Sequence, residues 1–335
     1  MTEDELIAQI RERLRDVDAR RLALGIGDDA AVWQPSRSNR SVITTDALVE
    51  GVHFASALAA HHVGWRALAS NLSDVAAMGA RPVLATVALG FPPETEPAWI
   101  LDCYHGIAAL ARREKCAIAG GDLTRAPAIV ISITVIGEVR PTNLKTRAGA
   151  RPGDIVAVTG PLGASAAGLR IARDHPHYAT DWDPRTGWEF AHDTLVKLAL
   201  GAFRRPSPRL AEGRWLGASR HVRAMMDLSD GLSTDLARMC AASGTGAALD
   251  EIPVHPAARR VGEITGDDPA VWALGGGEDF ELLVAIERRA FRHLAGRFRL
   301  RFGRELLPVG RMTADGGIRR ADGTPVTPSG WDHLR

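Results

Sequence analysis

The chain has 335 residues, which points to two domains, each able to bury a core. Its 45% hydrophobic and 24% charged content is ordinary for a soluble globular enzyme, and a net charge of +1 offers no overall field to draw in nucleic acid or a membrane surface. Cys103, Cys116 and Cys240 form no CxxC and no zinc spacing, so they read as reduced thiols of a cytoplasmic protein.

In chain order, the N-terminal "MTEDELIAQIRERLRDVDARR" is charged and lacks the apolar core of a signal peptide. Leu6, Ile7, Ile10 and Leu14 fall at helical spacing. "SVITTD" (41–46) predicts a strand ending in polar residues. "GWRALASNLSDVAAMGARP" (64–82) predicts a helix with Leu68, Leu72 and Val75 on one face, stopped by Gly79 and Pro82. Residues 82–89 and 128–139 are rich in β-branched side chains and predict strands, with a helix over 96–114 and "CAIAGGDLT" between them. The basic, Gly/Pro-punctuated stretch 140–154 marks the domain boundary, separating a unit over 1–140 from one over 150–335. Beyond it, "DIVAVTG" predicts a strand, and "PLGASAAG" a turn and helix start whose small residues allow close packing. Residues 173–190 predict a polar surface excursion. "VRAMMDLSDGL" predicts a strand running into a turn, and "STDLARMCAA" a helix with Leu232, Leu236, Met239 and Cys240 on one face. Strands and helices alternate in both halves, which argues for an α/β or α+β fold. No apolar run is long enough to span a bilayer.

The stretch "LGIGDDAAVW" (24–33) poses a chemical problem. Gly25 and Gly27 suggest a phosphate-cradling loop, yet Asp28 and Asp29 follow at once. A dinucleotide fingerprint needs a third glycine and no acid at the pyrophosphate, and a P-loop needs a following lysine; neither occurs. Similar acids recur elsewhere. Thr44, Thr45 and Asp46 end a strand, Gly120, Gly121 and Asp122 sit in a strand-to-loop turn, Asp74 lies inside the helix "NLSDVAAMG", and Asp227 and Asp230 bracket "DLSDG". Each acid alone is accounted for by a cap or turn. As a set beside apolar strands, and with few lysines nearby, their repulsion calls for a counter-charge. Oxygen donors without His or Cys select Mg²⁺ first, then Mn²⁺ or Ca²⁺. The loop would then hold metal, and the metal would hold phosphate. Taken alone, "LGGGEDFELL" is either a turn into a strand or a wall of a small-molecule site with Glu278 accepting hydrogen bonds. Arg147 reads as a solvated arginine or as a phosphate clamp. His53 and Trp331 read as structural or as substrate contacts.

Together these motifs resemble the thiamine-monophosphate kinase family. "GIGDDAAV", "TTDALVEGVHF", "NLSDVAAMGARP", "GGDLTR", "TRAGARPGD", "RPSPRL", "DLSDGLSTDL", "GGEDFEL" and "WDH" occur in that family's order and spacing, from about Leu24 to His333. The resemblance implies a two-domain fold shared with aminoimidazole ribonucleotide synthetase. In it the N-terminal domain pairs with its copy in a homodimer to form an inter-subunit β-barrel, and the C-terminal α/β domain closes over each site. It implies that ATP phosphorylates thiamine monophosphate to thiamine diphosphate with several Mg²⁺ ions. Carried over by motif, Asp29, Thr44, Thr45, Asp46, Asp74, Asp122, Asp227 and Asp230 would form the metal shell. Gly121, Asp122, Arg147 and Ser229 would contact ATP, and His53, Glu278 and Trp331 the thiamine phosphate. Asp28 would orient Asp29 or ligate through water. The transfer is expected to be direct, without a phosphoenzyme and without a catalytic base. The rival readings are another ATP-using enzyme of the same fold, a metal-dependent phosphohydrolase, and a non-catalytic nucleotide- or Mg²⁺-binding protein.

Overall fold

The computed structural model describes residues 2–17, 22–26, 30–179, 190 and 192–330. It opens with α1 (Glu3–Arg13), started by a Thr2–Glu5 capping box, and with Leu6, Ile10 and Leu14 buried at the predicted spacing. The ribbon β1 (Leu22–Leu24) and β2 (Val32–Trp33) follows, then β3 (Arg40–Val49), α2 (Ala60–Ala77), β4 (Arg81–Phe91), α3 (Pro97–Glu114), β5 (Ala117–Arg125) and β6 (Val130–Val139). β3, β6, β4 and β5 form an open four-stranded sheet in that order. Only β4 and β5, joined through α3, run parallel. The helix expected over 64–82 starts earlier and stops at Met78–Gly79, where Gly79 takes φ +69°.

Beyond 140–154, β7 (Ile155–Val158), α4 (Ala164–Asp174), α5 (Thr194–Arg204), α6 (Leu210–Gly217), β8 (Val222–Asp227), α7 (Leu232–Ser243) and β9 (Gly246–Leu249) follow. Then come α8 (Pro256–Thr265), α9 (Pro269–Gly275), β10 (Leu282–Ile286), α10 (Arg288–Phe302), β11 (Leu307–Thr313) and β12 (Gly317–Arg320). Their strands make a six-stranded sheet, β12-β9-β11-β7-β10-β8, antiparallel except at β12–β9. Both main sheets are mixed, so the fold is α+β.

Alternation divides the second sheet's side chains between two cores. Val156, Val158, Ala224, Met226, Leu283 and Ala285 pack toward α7, where Leu232, Leu236, Met239 and Cys240 share the predicted face. Ala157, Met225, Leu282, Val284 and Ile286 join a larger core that runs on through α2 to the first sheet. Leu68, Leu72 and Val75 on α2 are fully buried in it. α2 therefore serves both halves, and α6 crosses it closely: a Cβ at Gly213 would stand 2.2 Å from the Ala76 carbonyl oxygen.

Three local expectations need correction. β3 does not end in Thr44, Thr45 and Asp46; the ladder with β6 carries it on to Val49, so these residues lie inside the strand. Gly120, Gly121 and Asp122 do not turn out of a strand; β5 continues to Arg125, paired with β4 as far as Phe91. A bulge between Ile118 and Gly120 resets the register, and a Cβ at Gly121 would meet the Val87 carbonyl oxygen at 1.9 Å. The glycines thus serve a bulged ladder rather than a turn. The excursion at 173–190 is not all surface. Tyr178 is fully buried, its carbonyl accepts from Arg204 Nε at 2.8 Å, and its hydroxyl accepts from the Phe190 amide at 3.2 Å. Residues 180–189 lie outside the described residues.

Candidate functional site

α2 carries two stripes. The apolar one faces the core. The other, Arg66, Ser70, Ser73 and Asp74, falls at i, i+4, i+7 and i+8 and so shares one face. On β3, Thr44 and Asp46 lie on the side turned toward α2, and Thr45 on the opposite side. The end of β8 brings Asp227 to the same place. Its turn, 228–231, is stitched to the loop 276–281: the Glu278 amide donates to the Ser229 carbonyl at 2.8 Å, and Leu228 to that of Glu281 at 2.8 Å.

These segments enclose a cleft of about 680 Å³. Asp46, Asp74, Asp227 and Asp230 line it, with Ser229, His53 and Glu278 alongside. Thr44 Oγ1 donates to Asp74 Oδ2 at 2.5 Å, and Ser73 Oγ to Asp227 Oδ2 at 2.7 Å. Burial pushes the Asp227 carboxyl up, and the charge of Asp74 adds to the effect. Burial also raises Asp74, opposed by the Thr44 hydrogen bond and reinforced by Asp46, while Arg147 pulls the other way. Asp46 is raised by burial, against a hydrogen bond from Ser70, with Asp230 pushing it further up. Asp230 itself is paired with Arg238.

Among the described residues, no three acids or imidazoles stand close enough to enclose an ion unaided. The cleft supplies carboxylates on separate elements, Asp227 buried and the others half-buried, mutually repelling, with hydroxyls behind Asp74 and Asp227. That donor set fits a hard divalent cation that keeps waters and shares substrate phosphates.

Other predicted positions do not line this cleft. Asp46 shares a cross-strand row with Ile133, Val87 and Gly121. Asp122 belongs to the next row, with Ala47, Ser132 and Ala88, and sits exposed on the edge strand β5. Three strand spacings, roughly 14 Å, separate β5 from β3. Gly121 and Asp122 do not line the cleft, nor does Arg147, which is exposed but close enough to act on Asp74. Thr45 Oγ1 donates to the Ile133 carbonyl at 3.1 Å and accepts from Thr134 at 3.1 Å. Asp28, Asp29 and Trp331 lie outside the described residues.

His53 Nδ1 accepts from the Val49 amide at 3.0 Å, which leaves its ring proton, when neutral, on Nε2. Glu278 and Phe280 hold left-handed backbone at φ +63° and +48°. Three acids of the "EDFE" run each find a different anchor. Glu278 meets Arg66; Asp279 accepts from the Gly163 and Ser165 amides at the start of α4; Glu281 accepts from Arg209, Arg304 and Thr159. Burial raises Asp279 to about 7, partly offset by those amides.

Sequence reasoning missed several supporting residues. Asp235 is fully buried and accepts from the Ser229 and Asp230 amides at 3.1 and 3.0 Å, which fixes the turn that carries them. Burial raises it to about 6. Arg66 was legible as the first member of the polar stripe ending at Asp74.

The family described as AIR synthase related protein, N-terminal domain, matches residues 27–139, and its C-terminal domain matches 151–322. The thiamine-monophosphate kinase of Escherichia coli (strain K12) is 36% identical over 345 aligned residues, covering 99% of this chain and 98% of that protein. The crystal structure of thiamine-monophosphate kinase from Stenotrophomonas maltophilia K279a superposes with a TM-score of 0.83 at 35% identity, covering 97% and 98% of the two chains. A structure described as AaThiL complexed with AMPPCP and TMP gives a TM-score of 0.77 at 29% identity, covering 99% and 96%.

Proposed function

The chain belongs to the thiamine-monophosphate kinase family, and from that premise we propose how its cleft transfers the terminal phosphoryl group of ATP to thiamine monophosphate. One observation carries the reading. Asp46, Asp74, Asp227 and Asp230 line one cleft, where the charge of Asp230 pushes Asp46 up, that of Asp46 pushes Asp74 up and that of Asp74 pushes Asp227 up, and His53 and Glu278 line the same cleft. Acids without enough counter-charge await a cation, and the neighbouring wall accommodates an acceptor.

We assign Asp46, Asp74, Asp227 and Asp230 to Mg²⁺, with Thr44 and Ser73 orienting the carboxylates of Asp74 and Asp227. Bound Mg²⁺ would neutralise both phosphates and stabilise the charge that spreads over the transferred group. Thr45, Asp29, Gly121, Asp122, Arg147 and Trp331 enter this proposal through their motifs. Ser229, its amide fixed by Asp235, faces the nucleotide; His53 and Glu278 face the acceptor. The acceptor oxygen of a phosphate monoester is already ionised at neutral pH, since its second pKa lies near 6. No side chain has to remove a proton, and we assign no catalytic base and no phosphoenzyme.

We also propose the two-domain division at 140–150 and a homodimer closed through the four-stranded sheet. Both edges of that sheet, β3 and β5, are unpaired among the described residues, and Ile43 on its outward face is 68% exposed. Pairing two such sheets would form a barrel and remove the edges. Light scattering giving the mass of two chains is the expected result; a single-chain mass would reject it.

The reaction is tested by incubating the purified protein with ATP, Mg²⁺ and thiamine monophosphate and separating the products, with EDTA as control. Metal-dependent thiamine diphosphate and ADP in equal amounts are expected. ADP with free phosphate and no thiamine diphosphate would mean a phosphohydrolase.

A further inference from the structure

Arg66 is an unusual residue to find in the middle of a helix packed between two sheets. Its side chain is 3% exposed. Arginine is rarely so buried without a partner, because desolvating the charge is costly. Its partner, Glu278, is 34% exposed and lines the cleft. A buried cation therefore holds an open anion at the wall of the site.

The guanidinium is fixed from three segments. Nη1 donates to the Phe203 carbonyl at 2.6 Å, and the Phe203 ring lies 4.7 Å from Cζ. Nη2 donates to the His53 carbonyl at 3.3 Å, and to both Glu278 oxygens at 2.8 and 2.6 Å. Both residues assigned above to the acceptor thus hang on one nitrogen. At Glu278 the left-handed backbone is pinned through its amide to Ser229 and the carboxylate through Arg66. Without Arg66, Glu278 would add an uncompensated negative charge to a cleft already holding four acids, and would repel an incoming phosphate.

We propose that Arg66 is a positioning residue for the phosphoryl acceptor: it joins the His53 segment to the Glu278 carboxylate in one wall and presents that carboxylate to the thiamine portion. This rests on the assignment of Glu278 and His53 to thiamine monophosphate. The carboxylate, held rather than free, accepts from the amino group of the aminopyrimidine ring and faces the cationic thiazolium.

The test is a double-mutant cycle with Arg66→Gln, Glu278→Gln and the double variant, reading KM for thiamine monophosphate, KM for ATP, kcat and melting temperature. Arg66→Gln should raise KM for thiamine monophosphate at least about tenfold, in line with the cost of truncating one member of a buried charge pair. KM for ATP should stay within about twofold. The double variant should match Glu278→Gln, since Arg66 acts through Glu278. The double variant leaves no charge unpaired, so that comparison holds even if Arg66→Gln alone folds poorly. Equal rises in both KM values would make Arg66 merely structural and overturn the proposal. So would additive losses, which would mean that Arg66 touches the acceptor itself. A wild-type protein that turns over ATP but shows no saturation with thiamine monophosphate would overturn the acceptor assignment beneath it.

Discussion

Asp227 and Glu281 are both buried and lie close together: Asp227 ends β8 and pairs with Leu282, the first residue of β10, which Glu281 immediately precedes. The fold treats them in opposite ways. Glu281 meets Arg209 at 2.7 Å, Arg304 at 2.6 Å and Thr159 at 2.6 Å, and the two guanidinium groups outweigh burial and hold its carboxyl below the usual range. Asp227 accepts from the Ser73 hydroxyl and faces Asp74, so burial and repulsion raise it. Burial alone does not separate a structural carboxylate from a functional one. Glu281 has its cations in the sequence, here from "RPSPRL" and Arg304; Asp227, assigned above to metal by proposal, has no such partner at its side chain among the described residues.

The comparison breaks most easily at Asp227. Asp227→Asn should lower kcat at least about a hundredfold, because a metal at the transferred group supplies several kcal/mol of stabilisation. The same change should leave the metal-free protein as stable or more so, since it removes a repelled buried charge. A variant with near-normal turnover would reject the assignment. Glu281→Gln should do the reverse. It removes the partner of Arg209 and leaves Arg304 only Glu212, and should cost about 3 kcal/mol in urea unfolding, the low end for a broken buried pair because both arginines keep some exposure. Steady-state kcat of the folded fraction should change much less.

A third test uses pH. A carboxyl whose folded pKa is raised binds its proton more tightly when folded, so it weakens folding as pH climbs from its unfolded pKa toward the folded one. Asp46, Asp74 and Asp227 have this sign, as do Asp235 at about 6 and Asp279 at about 7. Glu281 has the opposite sign: its contribution is present above the unfolded pKa and is lost as pH falls through the folded one. Between pH 5 and 8 the metal-free Asp227→Asn protein should therefore lose less stability than wild type, and Mg²⁺ should shrink the difference. Parallel melting curves would contradict this. The smallest effect is expected at Ser73→Ala, which removes one donor to Asp227. Metal affinity should weaken up to about tenfold, read by titration calorimetry, with folding intact.

Much of this was legible in the sequence for a physical reason. Period and turn chemistry are local, so β3, α2, α3, β6 and α7 were each recognisable from their own residues. The acids of the cleft were legible because Asp46 follows two threonines in a polar break of an apolar strand, Asp74 lies on a helix face, and Asp227 and Asp230 bracket the turn after β8. What failed was long-range. Nothing near Gly121 says that β5 continues past it, because the partner that extends the ladder is β4. Nothing near Asp122 says that it falls in a different cross-strand row from Asp46. Glu278 reads as an acceptor wall, but its dependence on Arg66 spans 212 residues and needs the fold to be seen.

The most direct test counts metal. Electron paramagnetic resonance of Mn²⁺ should be recorded with wild type, Asp74→Asn and Asp227→Asn, each saturated with a non-hydrolysable ATP analogue. The account predicts that wild type binds ions that both variants lose or hold at least about tenfold more weakly, while Glu281→Gln binds like wild type. Equal stoichiometry and affinity in all four proteins would contradict it, and the raised carboxylates of the cleft would then need another explanation.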